Sequence, residues 1–454
     1  MQEFDLIVIG TGSGLDVSAD AAARGKSTAI VENGPFGGTC LNRGCIPSKM
    51  LIHSADVMET IKTAHLFGID AHVDGIDWNM IMRRASEDVD HESHEIELGN
   101  RSIENIEVFK GEGRFIDTKV LEINGTQIRA DNIVIAAGTR PYVPEILGLN
   151  EVPFITSDEA LRLPKQPARM AVIGGGYISA EMAHFYGSLG TDVTIIARGD
   201  LLLRTEDEDI SRRFTEVYSH RFNVLLRASV RSARMEGEEI VLNVDTEGSM
   251  QEVRCDAVLV ATGRLPNTGT LNVEATGVEV DERGFIKTDA TLETSTPGIW
   301  ALGDIVGRYL LKHSANLEAA YVTYNITHPD HQAEVDYHAI PHAVFAGPQV
   351  GGVGATEREL QESGARYVSA TNNYDDTAYG SSIEDRDGFV KVMADLESGE
   401  ILGCHIIGTD AATLIQEVAN PMRTRQPADA ITQAIYVHPA LPEVVQRAFG
   451  ELGI

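Results

Sequence analysis

The chain runs to 454 residues and is 43% hydrophobic, with 37 Lys and Arg against 68 Asp and Glu and a formal net charge of −31. That length suits about two to four domains of roughly 100–200 residues each, and no uninterrupted apolar stretch approaches the roughly 18 residues of a membrane-spanning helix. So strong a negative charge also argues against a nucleic-acid partner, because phosphate binding is driven by basic side chains.

The N-terminal residues Met1 to Gly10 enter a strand-like run at once. They carry no basic region and no cleavage site, so neither a signal nor a transit peptide is expected and the protein reads as cytoplasmic. Residues 4–33 form one strand–helix–strand pattern. Phe4 to Ile9 is a buried strand, Gly10-Thr11-Gly12-Ser13-Gly14 a tight turn, and an Ala-rich helix runs to Arg24. A second strand, Ser27 to Val31, ends in Glu32. Such a turn aims backbone N–H groups and a helix N-terminus at a pyrophosphate. The acid about 20 residues on suits ribose hydroxyls. Leu15 occupies the third fingerprint position in place of glycine, so the helix is expected to sit slightly further from the strand there.

The next motif is Gly37-Gly38-Thr39-Cys40-Leu41-Asn42-Arg43-Gly44-Cys45-Ile46-Pro47-Ser48-Lys49. Two cysteines at this spacing can meet across an irregular turn, which Gly44 permits. Pro47 suits the start of a helix, and a helix N-terminus favours a thiolate at Cys45. Zinc spacing is absent, so no metal site is expected. The chain has only four cysteines, too few for a disulfide scaffold.

Further along, the strand Asn132 to Ala136 leads into Ala137-Gly138-Thr139. A second nucleotide-binding pattern follows: the strand Met170 to Ile173, the turn Gly174-Gly175-Gly176, a helix from Tyr177 carrying Glu181, and the strand Asp192 to Ile196. Arg198 stands where an NAD-binding fold places an acid, and Arg204 lies one loop on, which favours NADPH. The run Glu206-Asp207-Glu208-Asp209 reads as solvated surface. Ala257 to Val260 leads into Gly263-Arg264, and Ile299 to Leu302 into Gly303-Asp304. From about Tyr337 the pattern is alternating strands with two helices and no nucleotide turn, ending in His438-Pro439-Ala440-Leu441-Pro442-Glu443. Arginine outnumbers lysine 28 to 9. With the net charge, the acidic excess reads as adaptation to a salty cytoplasm, where a Debye length of about 3 Å at 1 M screens self-repulsion.

These motifs resemble the flavoprotein disulfide reductases, a class that includes glutathione reductase, mycothione reductase and dihydrolipoamide dehydrogenase, and the similarity covers essentially the whole chain. The resemblance implies an α/β fold: two Rossmann-like dinucleotide-binding domains, for FAD (1–147 and 269–336) and NADPH (148–268), and a C-terminal α+β dimerisation domain (337–454). By the same resemblance, Cys45 is the thiolate beside the flavin and Cys40 the interchange thiol that attacks substrate. Lys49 lies beside the flavin N5, with Glu181 as its ion-pair partner. Gly10, Gly12, Gly14, Glu32, Thr39, Gly138, Gly303 and Asp304 are the expected FAD contacts. Gly174, Gly176, Tyr177, Arg198, Arg204 and Gly263 are the expected NADPH contacts, with Tyr177 covering the flavin until the nicotinamide displaces it. His438 and Glu443 match an acid–base dyad that reaches the other subunit's site, so an obligatory homodimer is implied. A histidine held by a carboxylate is suited to protonating an outgoing thiolate near neutral pH.

Within the class, segments such as FGIDAH (67–72), YLLKHSANLEA (309–319) and IYVHPALPE (435–443) are similar to mycothione reductase. No cysteine follows Cys404, so the C-terminal pair of mercuric reductase is missing. Asp20 stands where glutathione reductases carry an arginine for a glycine carboxylate. The resulting expectation is NADPH-dependent reduction of a small thiol disulfide, bis-γ-glutamylcystine first and mycothiol disulfide second. The alternative is a dihydrolipoamide dehydrogenase working with a lipoyl protein.

Overall fold

The computed structural model describes residues 1–453. They pack as two compact units: Met1–Met50, Met82–Tyr142 and Gly263–Tyr337 make the first, while Leu51–Ile81, Val143–Thr262 and the residues from His338 on make the second.

The first unit is built on a parallel sheet in the order Ile106–Lys110, Thr28–Glu32, Gln2–Ile9, Thr126–Ile135, Ile299–Ala301. Strands buried on both faces need continuous apolar runs, which the sequence supplies in LIVI, AIV and IVI. Ile9 pairs with both Val31 and Ile135, so the strand ends align on one edge of the sheet. Ile7, Ile30, Ile133 and Ile299 are fully buried, each contributing about 1.5–3 kcal/mol by removal from water. The helices Gly14–Ala23 and Lys312–Thr327 lie in this unit, and an antiparallel pair, Gly113–Asp117 and Val120–Ile123, extends the sheet.

The second unit contains another parallel sheet, in the order Asn223–Leu225, Asp192–Ile196, Arg169–Ile173, Ala257–Val260, Phe154–Ile155. A three-stranded antiparallel sheet, Ala228–Glu236, Glu239–Thr246 and Ser249–Cys255, follows. The C-terminal segment forms a five-stranded antiparallel sheet, His342–Val344 to Tyr367–Asn373, packed against the helices Ala411–Arg423 and Glu443–Gly450. Three shorter helices, Glu357–Ser363, Ala378–Ser382 and Asp429–Thr432, accompany the two expected ones. Two long helices carry the chain from one unit into the other: Cys45–Thr63 and Trp78–Arg101. Among the described residues no helix is long and apolar enough to cross a membrane.

One surface assignment is overturned in half of its residues, for Glu208 and Asp209 are exposed as expected. Glu206 and Asp207 are buried, not solvated. His342 Nε2 lies 2.7 Å from Glu206, and Lys391 meets Asp207, Asp209 and Glu357 at 2.9, 2.6 and 2.7 Å. Lys391, only 5% exposed, gathers the acids. A buried cation costs several kcal/mol unless charges answer it, and the acidic run is placed to do so. Asp207 also accepts the Glu357 N–H.

Candidate active site

The first glycine turn is packed as tightly as its composition requires. A Cβ on Gly10 would lie 2.4 Å from the Ala136 carbonyl oxygen, and one on Gly14 2.9 Å from both Ala136 Cβ and Val8 Cγ1. The close helix–strand approach that the third fingerprint glycine normally allows is therefore made at Gly14, one residue before Leu15. The space above Gly12 is open, as a phosphate cradle needs. Glu32 Oε2 accepts from the Thr11 amide and hydroxyl at 2.9 and 2.6 Å, and its Oε1 accepts from Gly34 N at 2.7 Å. The acid expected to meet a ribose thus also ties the turn to the loop leading to the cysteines.

That loop is pinned by groups the sequence reading did not single out. Asn42, buried, donates to the carbonyls of Phe36 (2.7 Å) and Gly38 (2.9 Å), and Ser93 donates to Phe36 O at 2.7 Å. Gly38 presses on the nucleotide turn: a Cβ there would lie 2.7 Å from Gly12 Cα. Thr39 and Cys40 belong to a short helix, Gly38–Arg43, and Cys45 opens the helix Cys45–Thr63. Gly44 joins them, where a Cβ would sit 2.8 Å from Thr39 O. The expected irregular turn is thus a helix–glycine–helix corner, with Lys49 on the first turns of the second helix.

Cys40 is half-buried and Cys45 exposed. Hydrogen bonding to Cys45, then burial, push the Cys40 thiol well above its ordinary range, while the charge of Lys312 acts in the opposite sense. Cys45, at a helix N-terminus, is the sulfur better placed for negative charge.

Three turns distant in sequence meet beside the first sheet. Thr139 Oγ1 donates to Asp304 Oδ2 at 3.1 Å, and Arg264 donates to Thr139 Oγ1 and O at 2.6 and 2.9 Å. Burial raises the Asp304 carboxyl above its ordinary value, opposed by Arg264 and Thr139. The Gly303 amide donates to the buried Glu318 at 2.5 Å, and Tyr337 donates to the same carboxylate at 2.8 Å. Gly138 and Gly263 both take positive φ next to these contacts. An open phosphate cradle, a half-buried aspartate with oxygen to spare and a cysteine pair on adjoining loops fit FAD. When bound, that group supplies a two-electron relay between a nicotinamide nucleotide and the cysteines.

The second glycine turn repeats the first. A Cβ on Gly174 would lie 2.2 Å from Ala261 O, while Gly176, capping the helix Tyr177–Ser188, faces open space. Tyr177 is 44% exposed at the start of that helix. Glu181 is buried and accepts from Phe345 N at 3.0 Å. Arg198 and Arg204 are both exposed just past the strand Asp192–Ile196, and Arg204 Nε lies 3.9 Å from Asp200. Asp20 is paired with Arg24 at 2.6 Å along its own helix.

At the C-terminus, His438 Nδ1 meets Glu443 Oε1 at 2.8 Å, and Glu443 Oε2 accepts from Ala440 N at 3.0 Å. The hydrogen bond from His438, then that from Ala440, hold Glu443 below its ordinary carboxylate value. Nδ1 carries the proton it donates, so Nε2 is the atom able to take up or release one. The His438 side chain is 69% exposed, and Ile435 and Val437 beside it are 100% and 77% exposed.

Residues 4–321 match the pyridine nucleotide-disulphide oxidoreductase family and residues 340–449 its dimerisation domain. The chain is 38% identical over 459 residues to a mycothione reductase of Mycobacterium tuberculosis, covering 99% of each. It is 35% identical over 455 residues to a dihydrolipoyl dehydrogenase of Chlamydia trachomatis, covering 98% of this chain and 95% of the relative. Its fold is similar to that of a Cu(II) complex of the HOCl-induced flavoprotein disulfide reductase RclA from Escherichia coli, with a TM-score of 0.89, 26% identity and full coverage of both chains. With two nucleotide turns, a paired-cysteine corner and these matches along its length, the chain belongs to the pyridine nucleotide-disulphide oxidoreductases, flavin enzymes that use FAD and NAD(P)H.

Proposed function

We propose that the protein reduces the disulfide of a small thiol with NADPH, through FAD and the Cys40–Cys45 pair, as a cytoplasmic homodimer. The observation that carries this reading is the cysteine corner: a half-buried thiol hydrogen-bonded to a second sulfur at a helix start, on a loop fastened to a dinucleotide turn. The proposed domains are 1–147 with 269–336 for FAD, 148–268 for NADPH and 337–454 for dimerisation.

In the reduced pair, His438 Nε2 takes the Cys40 proton as the Cys40 sulfur attacks one sulfur of the substrate disulfide. The substrate S–S bond breaks, a mixed disulfide forms on Cys40, and the departing thiolate takes the proton of His438 Nε2. Cys45 then attacks the Cys40 sulfur, the second thiol leaves, and the Cys40–Cys45 disulfide returns. Lys49 and Glu181 are proposed to pair beside the flavin. His438 is proposed to act in the site of the other subunit, and the exposure of Ile435 and Val437 supports an apolar interface there, since such side chains in solvent mark a contact surface.

Arg198 and Arg204, exposed cations past the second nucleotide strand, support NADPH over NADH. The similarity to a mycothione reductase supports a symmetrical small disulfide. The acidic, arginine-rich composition and Asp20 support bis-γ-glutamylcystine, with mycothiol disulfide second. The similarity to a dihydrolipoyl dehydrogenase favours the second reading, a dihydrolipoamide dehydrogenase. A comparison of kcat/KM for these disulfides, glutathione disulfide, cystine and lipoamide, with each nicotinamide nucleotide, separates the two. NADPH with a small disulfide should dominate; lipoamide turnover with NAD(H) exceeding every small disulfide would overturn the reading.

A further inference from the structure

We propose that Lys312 is a further binding residue for the flavin nucleotide, holding a phosphate of FAD against the first glycine turn. The inference rests on the FAD reading of that turn and adds to it a residue from 299 positions away in sequence. Lys312 is the first residue of the helix Lys312–Thr327. Its Nζ donates to Ser13 Oγ at 2.9 Å and to Asn316 Oδ1 at 2.7 Å, and Ser13 Oγ donates to Asn316 Oδ1 at 2.9 Å. This closed triangle fixes the ammonium on the turn itself.

Two features suit this turn to an anion. Ser13 is buried and stands at the cap position of the helix Gly14–Ala23, yet its hydroxyl makes no capping bond. The hydroxyl serves Lys312 and Asn316 instead, while the Leu15 and Asp16 amides turn back to the Gly12 and Ser13 carbonyls at 3.4 and 3.2 Å; the amides left for a ligand are those before them in the turn. Lys312 itself makes no ion pair among the described residues, in a chain that carries 68 acids. An ammonium has three donors; two here meet neutral oxygens, so one donor and the charge remain unanswered. A dinucleotide pyrophosphate at a glycine turn is the anion that such a helix start holds, and a half-buried lysine on the turn's serine adds a charge that backbone amides lack. The same cation lies within electrostatic reach of Cys40, where it favours the thiolate.

The test uses full-length protein stripped of flavin and re-bound to FAD or to riboflavin, which has no phosphate. Lys312→Gln should weaken FAD binding roughly ten- to a hundred-fold, the cost of one charge-assisted contact, and leave riboflavin binding unchanged. Lys312→Arg should retain most of the FAD affinity. Ser13→Ala, which removes the anchor and keeps the charge, should give a smaller loss confined to FAD, and it serves as the test if Lys312→Gln fails to fold. Equal losses for both flavins, or no loss for either, would overturn the proposal. Wild-type protein that takes up no FAD would refute the FAD reading of the turn, not merely the role of Lys312.

Discussion

Two of the nine lysines are drawn into the fold in opposite ways. Lys391 is answered by Asp207, Asp209 and Glu357, all within 2.9 Å. Lys312, in the first unit, meets only the neutral oxygens of Ser13 and Asn316. Two histidines repeat the contrast. His342 faces the buried Glu206, whereas His438 is held on one nitrogen by Glu443 and presents the other to solvent. A charge whose partners are complete within the fold stabilises that fold. A charge or proton site left open is placed for something the fold does not contain, and at a cost in stability that only a ligand or a reaction explains.

If that division is right, substitutions at open groups should remove activity and spare the fold, and substitutions at closed groups should do the reverse. The largest effect is expected at Cys40. Cys40→Ser should lower kcat/KM by about 10⁴-fold or more, the scale of losing a nucleophile, with an unchanged melting temperature. Retained turnover would show that the attacking sulfur lies elsewhere. His438→Ala should cost roughly 10²- to 10⁴-fold, as for a general acid. Mixing it with Cys40→Ser subunits should restore activity, because each heterodimer then has one complete site. No recovery after verified subunit exchange would place the dyad in its own chain's site.

Lys391→Met is the converse case. Removing the cation from buried carboxylates should destabilise the protein by about 3–5 kcal/mol while molecules that remain folded keep their turnover. The cluster also has a pH signature. Burial alone would raise Asp207, but the Glu357 amide and Lys391 hold it below its ordinary 3.8, and Lys391 foremost holds Glu357 below 4.5. Carboxylates with depressed values stabilise the fold above their ordinary range and lose that contribution as pH falls through the folded values. The stability of the wild type should therefore decline below about pH 4, and Lys391→Met should blunt that decline; parallel acid limbs in the two proteins would contradict the assignment. The smallest effect sharpens the open class. Arg198→Ala should reduce the NADPH/NADH preference roughly ten- to a hundred-fold; an unchanged ratio would locate the 2′-phosphate site elsewhere.

Much of this arrangement was legible in the sequence because its signals are local. Gly10 to Gly14, Gly174 to Gly176 and the cysteine motif each carry their meaning within a short span, and the strands Asp192–Ile196 and Ala257–Val260 begin and end where their apolar runs do. What was not legible is assembled across distance. Nothing near Glu206-Asp207-Glu208-Asp209 announces a lysine more than 180 positions later, so an acidic run that closes a buried charge looks like one that faces water. Ser13 and Lys312 are likewise unremarkable alone. Asn42 lay inside the cysteine motif, but its role depends on where the carbonyls of Phe36 and Gly38 turn, which sequence spacing does not reveal.

The contact between Gly12 and Gly38 has a bearing on how such a chain can change over generations. With no room for even a methyl group on Gly38 against Gly12, the turn that receives the nucleotide and the loop that carries the thiols cannot drift independently. A side chain arising at Gly38 would displace the nucleotide turn along with the cysteines, so a lineage that altered its redox corner would have to re-fit its cofactor in the same step.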